Sequence, residues 1–70
     1  VKYSVAHGSP YDRGGADSYY GGPEAIPTPH YYLGGSIHRI DADQMSKEEI
    51  DAYYAGFNNN LAQRNFKLWD

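Results

Sequence analysis

The residues best suited to chemistry in this sequence are three acids, three histidines and one arginine flanked by glycines. Asp12, Asp17 and Glu24 could each act as a general acid or base, since a positioned carboxyl can take or give a proton. No nucleophile pattern accompanies them: the serines fall at cap, turn or exposed positions. His7, His30 and His38 show no i, i+3 or i+4 spacing, so no pair of metal ligands is written into one helix. They read as surface or hydrogen-bonded histidines. A chain of 70 residues is also not expected to enclose a ligand-sized cavity of about 300 Å³ or more. The expectation is therefore a non-enzymatic protein with no catalytic residue, no metal and no cofactor.

The arginine is Arg13, in the run Asp12-Arg13-Gly14-Gly15. The run lacks the Gly-Lys-Ser/Thr ending of a phosphate-binding loop. Its glycines fit another purpose. A residue with no side chain lets two elements approach closely, so Gly14, Gly15 and Gly56 are candidates for a helix–helix or helix–hairpin contact. Asp12 then has two expected jobs, as a helix cap and as an ion-pair partner for Arg13, Arg39 or Arg64. Arg13 is a candidate for contact with a partner.

Charge and composition narrow the partners. The net charge is −3, with acids gathered at Asp41, Asp43, Glu48, Glu49 and Asp51, while Lys2, Arg13, Arg39, Lys47, Arg64 and Lys67 are scattered. A phosphate-backbone binder usually carries a basic patch instead. There is no cysteine, which excludes disulfides and cysteine-bound zinc. No apolar run approaches the ~20 residues of a membrane span, so no membrane partner is expected. No secretory signal pattern is visible. Starting at Val1 rather than Met, the sequence reads as processed, trimmed or part of a longer chain.

Six of the eight tyrosines come as neighbours: Tyr19-Tyr20, Tyr31-Tyr32 and Tyr53-Tyr54. Neighbouring residues diverge by about 100° on a helix and point to opposite faces on a strand, so one ring of each pair is expected to stay partly exposed. Tyrosine offers large contact area at low entropy cost, which suits interfaces. With only three leucines, the chain must also use tyrosine in its core.

Local signals place these residues on an α+β fold, a small single domain of two helices, a short β-hairpin and a proline-rich connector. Residues 1–8 read as an N-terminal arm, extended or forming an edge strand, and residues 9–70 as the compact domain. Ser9 can cap a first helix over residues 10–20, Pro10 suits its first position and Asp12 its first turn. Gly21-Gly22 and Pro23 supply the stop. Three prolines between residues 21 and 30 stiffen a connector that crosses the core. Tyr31–Leu33 and Ser36–Ile40 around Gly34-Gly35 read as a hairpin, with Ile37 and Arg39 on one face and His38 and Ile40 on the other. Ser46 and Glu49 form a capping box, with Met45 and Ile50 as its hydrophobic staple. Ile50, Tyr53, Phe57 and Leu61 make one stripe of a helix from Lys47 to Gln63, which Gly56 and the asparagines 58–60 weaken. Phe66 and Trp69 are expected to fold back over the hairpin or helix.

Pro10 to Gly15, Asp17 to Tyr20, Pro29 to Tyr31, Tyr53 to Phe57 and Asn65 to Trp69 together resemble a family of small uncharacterised proteins of tailed bacteriophages. The chain departs from that pattern at Gly22, where arginine is common, and at Leu68, where aspartate is common. The resemblance implies a phage origin and no particular activity. Arg13-Gly14 and the step Tyr54 to Phe57 more faintly resemble ribosome modulation factor, a basic family that binds the ribosome.

The resulting expectation is a phage-encoded accessory protein in the cytoplasm of a bacterial host, where it binds and modulates a host macromolecule. A host protein is the leading partner. A ribosome or RNA, a structural place in the virion, and a second copy of the chain are the alternatives. The expected binding surface uses Asp12, Arg13, Asp17, Tyr19, Tyr20, Tyr31 and Tyr54.

Overall fold

A computed structural model describes residues 3–33 and 37–68. The chain forms helix α1 (Pro10–Gly21), strand β1 (His30–Tyr32), strand β2 (Arg39–Asp41) and helix α2 (Lys47–Gln63), with 3-10 turns at Gly22–Glu24 and Ala42–Gln44. The expected α+β domain of two helices and a hairpin is what forms.

Both helices begin where the sequence signals place them. Ser9 Oγ accepts from Asp12 N–H at 3.4 Å and Pro10 opens α1. Asp12 does not close the box on the capping residue itself. Its Oδ2 accepts instead from Gly8 N–H at 2.9 Å, one residue further back. At α2 the box is complete: Glu49 N–H donates to Ser46 Oγ at 3.1 Å and Ser46 N–H to Glu49 Oε1 at 2.8 Å. Helix α1 stops at Gly22, whose φ of 76° suits glycine and whose N–H returns to Ser18 O. Helix α2 stops on Arg64 in the left-handed region, φ 52°.

The two helices form the main contact of the fold, and two glycines set their separation. A Cβ at Gly14 would overlap the Tyr53 carbonyl oxygen and lie 2.9 Å from Phe57 N. A Cβ at Gly56 would overlap the Tyr11 carbonyl oxygen and lie 3.2 Å from Gly15 N. Each helix thus seats the other's backbone in a gap that only glycine leaves. Gly15 is different: its Cβ would have ordinary contact, 3.7 Å from Gly56 O. The asparagine run, poor in helix propensity, earns its place by hydrogen bonds across this crossing. Asn59 Nδ2 donates to Tyr11 Oη at 3.0 Å, and Asn60 Nδ2 to Ser18 Oγ at 3.0 Å and Asn65 O at 2.9 Å.

The α2 stripe is buried at its centre, Tyr53 fully and Phe57 nearly so, with Ile50 and Leu61 half-buried. Ala52 and Ile40 complete the apolar core. The strands pair antiparallel, His30 with Asp41, Tyr31 with Ile40 and Tyr32 with Arg39. β1 starts one residue earlier than the tyrosine run suggests, and β2 is shorter and later than Ser36–Ile40. The expected Gly34-Gly35 turn lies outside the described residues, as does Trp69. Arg39 is exposed and Ile40 buried, as the alternation requires, while Ile37 is 98% exposed.

The described arm residues form no strand. Ser9 N–H closes a turn onto Ala6 O at 3.0 Å, and Tyr32 N–H donates to Gly8 O at 2.8 Å. Gly8, with φ 90°, is therefore the point where the arm grips β1. The tail returns as well: Lys67 N–H donates to Tyr19 O at 2.7 Å on α1.

Candidate functional site

Tyr53 is a tyrosine in a position where the stripe would accept leucine, and its buried hydroxyl needs partners. It accepts from Thr28 N–H at 3.0 Å and donates to Asp17 Oδ2. Burial first, and the Asp17 carboxylate second, push this phenol well above its ordinary value of 10.0. The hydroxyl therefore stays protonated and serves as a donor.

His30 sits beside it, 4% exposed, its ring 5.7 Å from those of Tyr53 and Tyr32. Its Nδ1 lies 2.8 Å from Thr28 O. A carbonyl can only accept, so Nδ1 carries the proton, and Nε2 of the neutral ring is left as an acceptor. Arg13 Nε–H donates to that nitrogen at 3.5 Å, and its guanidinium lies over the Tyr32 ring, 5.5 Å from the centroid. Asp17 Oδ2 is 3.6 Å from His30 Nδ1. Arg13 and Asp17 from α1, Thr28 from the connector, His30 from β1 and Tyr53 from α2 thus form one network. Among the described residues no buried side-chain nitrogen or oxygen lacks a partner.

Above this network lies an open cleft of about 530 Å³, lined by the charged and polar side chains of Arg13, Asp17, His30, Tyr32 and Arg39 together with Tyr20, Ala25 and Ile26. The space is open to solvent and is not the enclosed cavity weighed from the sequence. The connector leaves α1 at Gly21 and returns at His30, and between them it presents Ala25, Ile26 and Thr28 to the cleft. A second groove of about 400 Å³ runs along the far side of Tyr20, lined by Val5, Tyr11, Asp12, Tyr19 and Asn60.

The seven residues expected to meet a partner are therefore divided. Arg13, Asp17 and Tyr20 share the cleft; Asp12, Tyr19 and Tyr20 share the groove. Tyr20, 55% exposed, stands between the two. Tyr31 is elsewhere: a hydrogen bond with the Glu49 side chain raises its phenol above the ordinary value. Tyr54 is 39% exposed, edge-on to Tyr53 at 5.8 Å, and lines neither space. The expected ion pairs of Asp12 do not form. Arg13 is drawn to His30 and Tyr32, Arg39 donates to Asp41 Oδ1 at 2.7 Å, and Arg64 lies over Phe66 at 5.6 Å. Asp12 has His7 Nδ1 at 3.9 Å instead. His30, Tyr32, Arg39 and Tyr53 belong to the site but were not among the seven residues expected to meet a partner. The signal that could have found Tyr53 is a hydroxyl in the middle of an apolar stripe.

Among the described residues no cluster of His, Asp and Glu is placed to hold a metal ion, and no helix is long and apolar enough to cross a membrane. Comparison with family models, curated proteins and solved structures finds no match to this chain.

Proposed function

We propose that this chain is a non-enzymatic accessory protein that binds a protein partner on the face carrying Arg13, Asp17 and Tyr20. The observation that carries the reading is how the cleft spends its reactive groups. Tyr53 is held protonated, Asp17 Oδ2 receives its hydroxyl, and both nitrogens of His30 are engaged. Groups that satisfy one another are poorly placed to move a substrate's proton. Around them the surface is amphipathic: Tyr20 is 55% and Ile26 83% exposed beside two guanidinium groups. Exposed aromatic and arginine side chains over a preformed concavity are the usual anchors of a protein interface. The resemblance to small tailed-phage proteins supports a partner in an infected bacterial cell, with the complex in the host cytoplasm.

Affinity capture from infected cells, read by mass spectrometry, tests the reading. Tyr20→Ala should lose the partner that the wild type retains, while Leu68→Ala, at an exposed residue of the tail, should keep it. Retention by Tyr20→Ala would overturn the assignment of this face. Salt-sensitive co-sedimentation with ribosomes would replace it by an RNA-binding reading. A fixed copy number in purified particles would replace it by a structural role in the virion.

A further inference from the structure

Charge inside the cleft selects its occupant. Arg13 donates its Nε–H to His30 and lays its guanidinium over the Tyr32 ring, and no carboxylate among the described residues pairs with it. Arg39, paired across the sheet with Tyr32, donates its Nε–H to the Asp41 carboxylate at 2.7 Å and makes a further side-chain hydrogen bond with Tyr32. A guanidinium carries five donors in a planar fork, so both arginines retain capacity for an anion. The acid that lines the same space, Asp17, already receives the Tyr53 hydroxyl. Tyr20 and Ile26, which line the same cleft, offer exposed apolar surface.

We propose that the cleft takes an Asp or Glu side chain from an acidic segment of the partner protein, held between Arg13 and Arg39, with a neighbouring apolar side chain against Tyr20 and Ile26. This rests on the reading that the face meets a protein. A carboxylate matches the guanidinium fork in shape and charge. A long polyphosphate backbone would instead meet the net −3 of the chain and the acids from Asp41 to Asp51 that follow Arg39. A short segment with one or two carboxylates meets chiefly the cleft.

The test is a titration of the isotope-labelled full chain with acetyl-Asp-Glu-Leu-Phe-amide and with acetyl-Asn-Gln-Leu-Phe-amide, followed by NMR. The acidic peptide should shift Arg13, Tyr20, His30 and Arg39 signals saturably. The neutral peptide should bind about tenfold more weakly, the scale of losing a charge-assisted hydrogen bond. Arg39→Gln changes an exposed rim residue outside the His30 network, so its spectrum should remain folded while the acidic peptide binds about tenfold more weakly. Equal binding of the two peptides, absence of saturation, or tighter binding of inorganic phosphate or oligouridylate would overturn the carboxylate assignment. Partner capture that depends on Tyr20 without any preference for acidic peptide would overturn this inference alone. Capture indifferent to Tyr20 would overturn the docking face alone.

Discussion

On one face of α1, backbone meets backbone. Gly14 and Gly56 leave no Cβ at the two points where the helix backbones meet, and Tyr53 and Phe57 are buried beside them. On the adjoining face, which carries Arg13 and Asp17, side chains meet through hydrogen bonds and leave a cleft. The first region tolerates no side chain at Gly14 or Gly56. The second has room, and its order comes from polar partners that each need the others. The contrast shows how so small a chain can hold a concave surface: close packing in one place supports openness in the next.

The sharpest way to break the comparison is to add one methyl group to the seam. Gly14→Ala or Gly56→Ala would force backbone against a new Cβ, where no flexible side chain can move aside. Overpacking of this kind should cost about 3 kcal/mol or more, read as lost folding in urea denaturation. A stable Gly14→Ala variant would mean that the helices do not cross as described.

The cleft side should break more gently. Tyr53→Phe keeps the ring in the core but leaves Thr28 N–H and Asp17 without the shared hydroxyl, at a cost of about 1–3 kcal/mol. It also tests a pH dependence. Because the folded-state phenol lies above its unfolded value of 10.0, its contribution is complete below that value. Above it the unfolded chain releases the proton while the folded chain retains it, so stability should fall as pH rises through the alkaline range. Alkaline denaturation curves of wild type and Tyr53→Phe should differ by this proton. Identical curves would remove Tyr53 from the buried network.

Ser46→Ala lies in neither region and supplies a scale between them. Loss of the Ser46–Glu49 box should cost about 1 kcal/mol, with the cleft signals in NMR unchanged. The smallest effect should have the opposite sign. Gly15 neighbours Gly14, yet its Cβ would have ordinary contact. Gly15→Ala should stabilise the chain by up to about 1 kcal/mol through helix propensity. Destabilisation at that site would show that the seam is wider than the two glycines that define it.

What the sequence made legible follows the range of the physics involved. Ser46, Glu49 and the stripe from Ile50 to Leu61 act within a few residues of one another, and α2 spans Lys47–Gln63 as those signals predict. Ser9, Pro10 and Gly22 did the same for α1. That the glycines served close packing was readable from their chemistry. That Gly14 and Gly56 form the pair, with Gly15 beside it, depends on a crossing angle that no local signal encodes. The cleft was harder still. Tyr53 and Asp17 are 36 residues apart and Arg13 and His30 are 17 apart. Their meeting needs both helices, the connector and a strand in place. Asp12 shows the same limit: its nearest attractive partners were backbone and His7, which outcompeted every arginine because they were already within reach.

The paired glycines also decide how this chain can diverge. An exposed tyrosine can change to another surface residue, and even the cleft can be re-lined, without moving a helix axis. Positions 14 and 56 have no such liberty, because a side chain at either one must first part the helices. A distant descendant would therefore be recognised less by its aromatic doublets than by one glycine on each helix, facing the other's backbone across the crossing.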